Sequence, residues 1–212
     1  MDHEVTIGIV DNDRFVLPSL KTSIAELYPD ARVIWTTSDG GEAVQNCLHA
    51  STRPKVLLVD MSMEGVSGIS VCRRIRTRIS KVGLLAMTDY SLDKYTEKAS
   101  LAGAQGIVGK ADEQQIVTAL RTVASGGTWG EGFESPLTAH VRLKNQVSMS
   151  SVLTDREFEI MDSFAAGMSI QAISETLNIT PETVKKHGQR AMHKLGATSR
   201  WQAVALWLNS EA

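Results

Sequence analysis

The stretch KVLLVD at residues 55–60 joins a short apolar run to an acidic residue, Asp60. An uninterrupted apolar run of this length is typical of a strand that is buried on both faces of a sheet. Four similar runs occur in the first half of the chain, namely VTIGIV at 5–10, RVIWTT at 32–37, VGLLAM at 82–87 and QGIVG at 105–109. The sequence therefore predicts five buried strands.

Segments with helical spacing separate these runs; Val71, Ile75 and Ile79 are an example. Regular alternation of strand and helix predicts an α/β fold, a doubly wound five-stranded parallel sheet, because right-handed crossovers place helices on both faces. We assign residues 1–125 to this domain. The glycine-rich stretch SGGTWGEGFESP begins at residue 125, and we predict a linker over 126–150, with a weak signal for a short helix near 137–143.

Residues 151–212 show only helical spacing and turn signals, which predicts a small all-α domain of four helices. A capping box at Thr154 and Glu157 marks the start of its first helix. Farther on, a bend at residues 178–179 is followed by Thr180 and Pro181, which suit the N-cap and first position of a new helix. This order predicts a helix-turn-helix.

Composition excludes several classes of protein. A hydrophobic fraction of 42% and a charged fraction of 22% are ordinary for a globular protein. The sequence shows neither a basic leader nor an apolar run of about 18 residues, so we expect no secretion and no membrane span, and a cytoplasmic location. The two cysteines, Cys47 and Cys72, lie in helical patterns without a partner motif, which favours buried free thiols.

Polar residues follow four of the predicted strands. They are Asp11, Asn12 and Asp13 after the first, Asp60 after the third, Thr88 and Asp89 after the fourth, and Lys110 after the fifth. Because the carboxyl ends of parallel strands share one edge of a sheet, these side chains should form one cleft. Oxygen ligands for Mg²⁺, an attacking carboxylate and a cation are what phosphoryl transfer needs. We assign Asp60 as nucleophile, Asp11 and Asn12 as metal ligands, Thr88 as the hydroxyl that senses the phosphoryl group, and Lys110 as counter-charge.

The second helix of the helix-turn-helix carries a local excess of positive charge, although the whole chain has a net charge of −2. Such a helix places its first half against base edges in the major groove. Its exposed candidates for DNA contact are Thr183, Lys185, Lys186, Gln189 and Arg190. Gly188 lies inside this helix, where glycine costs about 1 kcal/mol relative to alanine. It suits either a close approach to DNA or a helix that tolerates glycine because packing holds it.

The motifs VDND, LLVDMSMEGVSG, LLAMTD and GAQGIVGKAD resemble, in order, those of receiver domains of two-component response regulators. The segment from 153 resembles LuxR-type DNA-binding domains, so the chain is similar to the NarL/FixJ-type response regulators. This resemblance implies a flavodoxin-like receiver that a sensor histidine kinase phosphorylates on Asp60. It implies Mg²⁺ held by Asp11, Asn12, Asp60 and the carbonyl of Ser62, switch positions at Thr88 and Ile107, and a homodimer on double-stranded DNA.

Three positions depart from the family pattern: Asn12 replaces an acid, Glu64 replaces a proline and Ile107 replaces an aromatic ring. A neutral amide should weaken Mg²⁺ binding, since a hard cation prefers anionic oxygen, unless Asp13 or Glu64 compensates. The absence of a ring at position 107 removes a rotating-ring switch, so we expect altered control by phosphorylation.

Two alternatives stay open at this point. One is a receiver that works on the DNA-binding half without phosphorylation. The other is a phosphatase similar to the haloacid dehalogenases, in which Asp11 is the nucleophile; it leaves Asp60 and the second domain unexplained. A nucleotide-binding loop is set aside because Ala104 and Ala111 stand where that motif needs glycine and a hydroxyl residue. The residues favour a regulator over an enzyme of multiple turnover.

Overall fold

A computed structural model describes residues 4–63, 66–145 and 153–210. The chain forms two compact units, Met1–Asn145 and Gln146–Ala212. Within the described residues no helix has both the length and the apolar character needed to cross a bilayer.

The first unit is built on the predicted five-stranded parallel sheet. Its strands are β1 (Val5–Val10), β2 (Ala31–Thr37), β3 (Val56–Asp60), β4 (Gly83–Thr88) and β5 (Gly106–Gly109). Its helices are α1 (Val16–Leu27), α2 (Gly40–Leu48), α3 (Gly68–Arg78), α4 (Thr96–Leu101), α5 (Glu113–Ala124) and α6 (Pro136–Asn145). The strand order is β2-β1-β3-β4-β5, with every neighbouring pair parallel. The α/β prediction is confirmed.

Two hydrophobic clusters cover the two faces of the sheet. Leu84 points into the cluster that includes residues of α2 and α3, and its neighbour Leu85 points into the cluster of α1 and α5. Successive strand residues face opposite sides, so a strand buried on both faces must be apolar throughout. Cys47 and Cys72 lie in the first cluster as the predicted free thiols, and burial raises the pKa of each to about 12.

A fully buried arginine, Arg76, ties α3 to two strands. Its guanidinium donates to the carbonyls of Gly103 at 3.0 Å and Val82 at 2.8 Å, and to Oε1 of Gln105 at 2.6 Å. Gln105 Oε1 also accepts the main-chain N–H of Leu84. Burial lowers the pKa of Arg76 to about 10, so it stays charged at neutral pH while neutral oxygens solvate it.

The chain that leaves α5 folds onto the first unit. Trp129 forms a bridge with Gly106 of β5 and its N–H donates to the carbonyl of Gln105 at 2.8 Å. Phe133 packs against the first cluster, and His140 of α6 lies 2.6 Å from the carbonyl oxygen of Arg76 through Nδ1. Residues 126–145 of the predicted linker therefore pack as part of the first unit, while 146–150 lie outside the described residues.

The second unit contains the four predicted helices, α7 (Asp155–Ala165), α8 (Ile170–Thr176), α9 (Pro181–Lys194) and α10 (Arg200–Ser210). Trp207 is fully buried at the centre of its core. The indole meets Phe158 edge to face at 4.8 Å, and its N–H donates to Oδ1 of Asp162 at 3.0 Å. Trp207 thus fills the centre of this small core, and its indole N–H has a hydrogen-bond acceptor there.

Candidate functional site

The strand order brings the predicted acidic residues and the lysine into one cleft. Asp60 ends β3, which lies between β1 and β4, so the residues after all three strands meet at its side. Lys110 Nζ lies 2.7 Å from Asp11 Oδ2, 3.2 Å from Asp60 Oδ1 and 3.4 Å from Asp89 Oδ2. Asp11 and Asp60 are at most 1% exposed, whereas the Asp89 side chain is 66% exposed.

The two oxygens of Asp60 have different surroundings. Oδ1 accepts the N–H of Ser62 at 3.0 Å and contacts Lys110, whereas the buried Oδ2 has no hydrogen-bond partner in the described part of the chain. Burial raises the pKa of Asp60 and the charge of Asp11 adds to this effect, while Ser62 and Lys110 oppose it. One carboxylate oxygen is held in place and the other is left for a ligand or a reaction.

Lys110 provides the positive charge of the cleft. Burial by itself lowers its pKa, but the hydrogen bond to Asp11 and the charges of both buried carboxylates outweigh burial, so the pKa is raised overall. The ammonium is therefore charged at neutral pH and compensates two buried carboxylates.

The first loop of the cleft separates one buried acid from two exposed neighbours. Asp11 Oδ1 accepts the N–H of Asp13 at 2.9 Å, while Oδ2 is in ion-pair contact with Lys110 but makes no hydrogen bond to the described residues. Asn12 is exposed, and Asp13 uses Oδ1 to accept the N–H of Phe15 ahead of α1. Glu64, the other residue considered as compensation, lies outside the described residues.

A divalent cation fits this cleft only in part. The described residues contain no group of three or more His, Cys, Asp or Glu side chains arranged for a metal. Asp11 and Asp60 do supply buried carboxylates, and Oδ2 of each makes no hydrogen bond to the described residues, although Asp11 Oδ2 lies 2.7 Å from Lys110 Nζ. These hard ligands suit Mg²⁺. The amide of Asn12 and the carbonyl of Ser62 are the predicted neutral ligands.

Thr88 and Ile107, the two predicted switch positions, are both buried. The Thr88 hydroxyl accepts the N–H of Tyr90 at 3.1 Å, and Ile107 belongs to the first hydrophobic cluster. The structure adds an unpredicted feature in the following loop: Lys94 Nζ lies 4.5 Å from the ring centre of Tyr90 and 5.1 Å from that of Tyr95. Its signal in the sequence was two tyrosines flanking a lysine at close spacing.

The second candidate site is α9 with the turn before it. Asn178 has φ 50°, in the left-handed region that asparagine tolerates better than most residues. Thr180 caps α9 by accepting the N–H of Thr183 at 3.2 Å, and Pro181 occupies the first helical position. These local features agree with the helix-turn-helix read from the sequence.

The exposed side of α9 carries four of the five predicted DNA contacts. Lys185, Lys186, Gln189 and Arg190 are exposed, whereas Thr183 is half-buried with its hydroxyl 2.9 Å from that of Thr180. Thr183 thus helps to cap the helix in addition to its predicted role.

Gly188 lies on the inner side of α9. A Cβ at this position would lie 3.0 Å from Cε2 of Phe164 in α7. The close packing of α9 against α7 favours the interpretation in which packing holds the helix, although the contact with Phe164 was not predicted.

Glu157 has a second structural role besides the capping box that the sequence predicts. Its Oε2 accepts the N–H of Thr154 at 2.8 Å and also binds Nζ of Lys194 at 2.7 Å. Burial tends to raise the pKa of Glu157, but the Lys194 and Thr154 hydrogen bonds prevail and lower it. The pair fixes the last turn of α9 to the first turn of α7.

Comparison with known proteins gives two adjacent family matches. Residues 7–121 match the response regulator receiver domain, and residues 151–207 match the bacterial regulatory proteins of the luxR family. The response regulator UvrY of Escherichia coli is 28% identical, with 90% of this chain and 88% of UvrY covered. The oxygen regulatory protein NreC of Staphylococcus haemolyticus is 29% identical, with 92% and 94% covered.

Solved structures share the fold. The RcsB response regulator of Salmonella typhimurium has a TM-score of 0.53 at 20% identity, with 98% of both chains covered. A LuxR-family two-component response regulator from Aurantimonas has a TM-score of 0.54 at 28% identity, with 59% of this chain and 89% of that chain covered.

Proposed function

Because the chain belongs to the response regulators that join a receiver domain to a LuxR-type regulatory domain, we propose that phosphorylation of Asp60 controls binding of DNA by α9. The observation that carries this proposal is the unpartnered Oδ2 of Asp60 beside a charged lysine. We place the receiver at 1–125, with 126–150 as the connecting segment and 151–212 as the DNA-binding domain.

Asp60 has the surroundings of a phosphoryl acceptor. Its Oδ2 attacks phosphorus in the phosphohistidine of a sensor kinase, the P–O bond forms, and the P–N bond to the donor breaks. Lys110 remains to balance the charge of the phosphoryl oxygens. Asp11, Asn12, Asp60 and the Ser62 carbonyl would hold Mg²⁺, which neutralises charge on the same oxygens.

Thr88 transmits the phosphorylation of Asp60 to the rest of the domain. Its hydroxyl accepts the N–H of Tyr90, and turning that hydroxyl toward a phosphoryl group on Asp60 releases the loop that carries Tyr90. Ile107 has no ring to rotate, so we assign it a packing role. Phosphorylation then shifts the balance between two states of the domain.

The DNA site rests on the exposed side of α9. Lys185, Lys186 and Gln189 have donors that suit base edges or phosphates, and Arg190 suits phosphates. Structures of RcsB are described as complexes with DNA, which supports the same role here. We infer that two copies bind adjacent half-sites of double-stranded DNA, and that the protein works in the cytoplasm where its DNA lies.

The alternatives are less well supported. A phosphatase using Asp11 would have to attack with Oδ2, which lies 2.7 Å from the Lys110 ammonium, whereas Oδ1 accepts the N–H of Asp13; Asp60 Oδ2 has neither contact. We infer that the receiver accepts one phosphoryl group and has no enzymatic turnover on other substrates. The remaining alternative is a receiver that controls DNA binding without phosphorylation, and experiment must distinguish it from control by phosphorylation of Asp60.

The test is the intact mass of the full chain after incubation with acetyl phosphate and Mg²⁺. We expect a gain of one phosphoryl group, its loss in Asp60→Ala, and its retention in Asp89→Asn, which removes a more exposed carboxylate near Lys110. A gain that survives Asp60→Ala would contradict the assignment of the acceptor. No gain in the wild-type chain would favour the phosphorylation-independent receiver.

A further inference from the structure

The C-terminal half of α9 lines an open cleft of about 320 Å³. All of its lining residues come from α9, and they are Lys186, Gln189, Arg190, His193 and Lys194. Each of these residues is exposed. Residues 186, 190 and 193 follow helical spacing of four and three, so they share one side of the helix.

The charges around this cleft are only partly compensated. Lys194 is paired with Glu157 of α7 at 2.7 Å, and Lys185, just outside the cleft, is paired with Glu182 at 3.1 Å. Lys186 and Arg190 have no carboxylate within ion-pair distance in the part of the chain that the structure describes. The cleft is therefore a site of uncompensated positive charge, and an anion is the ligand that fits it.

His193 is placed to add a further charge to this cleft. The elements packed against α9 are α7, α8 and α10, and neither α8 nor α10 contributes a described residue to the lining. Glu157 of α7 forms an ion pair with Lys194, which lines the cleft. Protonated His193 would thus face Lys186, Arg190 and Lys194 unless an anion enters.

We propose that this cleft binds the DNA phosphate backbone and that His193 makes the binding pH-dependent, with one more phosphate contact in acid than in alkali. The inference rests on the proposed DNA-binding function of α9. An imidazole changes its charge between about pH 5 and 8, and a bound phosphate favours the charged form. Each phosphate neutralised changes the slope of log affinity against log salt by about 0.9.

The test is binding of the full chain to a labelled duplex of arbitrary sequence, measured by fluorescence anisotropy over a salt series at pH 6 and pH 8, with and without acetyl phosphate. We expect the wild-type salt slope to be steeper at pH 6 by about 0.9, and its affinity to be about threefold higher at moderate salt. His193→Gln should show the shallow slope at both pH values, and His193→Lys the steep slope at both.

Two controls separate this effect from general ones. His49→Gln, an exposed histidine of the first unit, should keep the wild-type pH response, and Lys186→Gln should lower the slope by about one at both pH values. Binding with the same pH response in wild type and His193→Gln would overturn this inference and leave the proposed function standing. Absence of duplex binding under every condition would overturn both.

Discussion

At the scale of single residues, Asp60 combines a chemical role with a cost to the fold. A buried polar atom without a partner destabilises a protein by about 1–3 kcal/mol, and Oδ2 of Asp60 is such an atom. Since burial raises its pKa, ionisation of Asp60 is less favourable in the folded state than in the unfolded chain. Stability at neutral pH is therefore lower than the same fold would have with a neutral group at this position.

We expect Asp60→Asn to raise the free energy of unfolding at pH 7 by about 1 kcal/mol or more. In the wild type this free energy should fall as pH rises from about 3.9, the ordinary carboxyl value, through the raised folded pKa. The variant should lack that fall. Urea unfolding at several pH values measures both, with Asp89→Asn as control; equal stability of Asp60→Asn and wild type at neutral pH would contradict the argument.

Asn12 should limit affinity for Mg²⁺. Replacing it with an acid adds an anionic oxygen to a loop that already holds Asp11, so Asn12→Asp is expected to tighten Mg²⁺ binding by about tenfold. Titration calorimetry measures the affinity directly. Asn12→Ser, which adds no charge, is the matched control, and a gain of the same size in that variant would show that charge is not the cause.

At the scale of elements, the contact between α9 and α7 explains a glycine in a helix. Gly→Ala in an exposed helix interior is worth about 1 kcal/mol of added stability. At Gly188 the new Cβ would lie 3.0 Å from the Phe164 ring, so we expect that gain to be absent for Gly188→Ala, and Gly188→Val to cost about 1–3 kcal/mol. Thermal unfolding measures both, and Phe164→Leu in the same chain should restore part of the loss.

The Arg76 cluster connects α3 to the starts of β4 and β5. Arg76→Met should cost about 1–3 kcal/mol, because the buried carbonyl of Val82 loses its guanidinium donor, and Gln105 Oε1 and the Gly103 carbonyl each lose one of two donors. Arg32→Met, which removes an exposed ion pair with Glu4, should cost less than about 1 kcal/mol. Similar losses in the two variants, measured by urea unfolding, would refute the role of Arg76.

Prediction from sequence succeeded where local pattern decides the element. The five strands and the cap of α9 follow from apolar runs and from Thr180 with Pro181, and strand order alone explains why Asp11, Asp60 and Lys110 meet. The Arg76–Gln105 pair, the Tyr90–Lys94–Tyr95 group and the packing of Gly188 were not foreseen. They depend on contacts between segments distant in sequence or on side-chain directions, which periodicity does not report.

At the scale of the whole molecule, the boundary of the first unit is testable. Trp129, Phe133, Ala139 and Leu143 pack on this unit, and burial of such side chains contributes about 1.5–3 kcal/mol each before ordering costs. We expect a chain ending at residue 145 to be more stable than one ending at 125 by about 3 kcal/mol. Equal urea midpoints and slopes for the two chains would show that 126–145 adds nothing.

The bridge between Trp129 and Gly106 also has a bearing on self-association. A strand at the border of a sheet offers unpaired main-chain groups to any other chain that arrives, which is a common start of aggregation. Trp129 occupies part of that border on β5, whereas β2 forms the other border. Trp129 is synthesised about twenty residues after the end of β5. During synthesis there is therefore a stage at which β5 is complete but Trp129 does not yet cover its border.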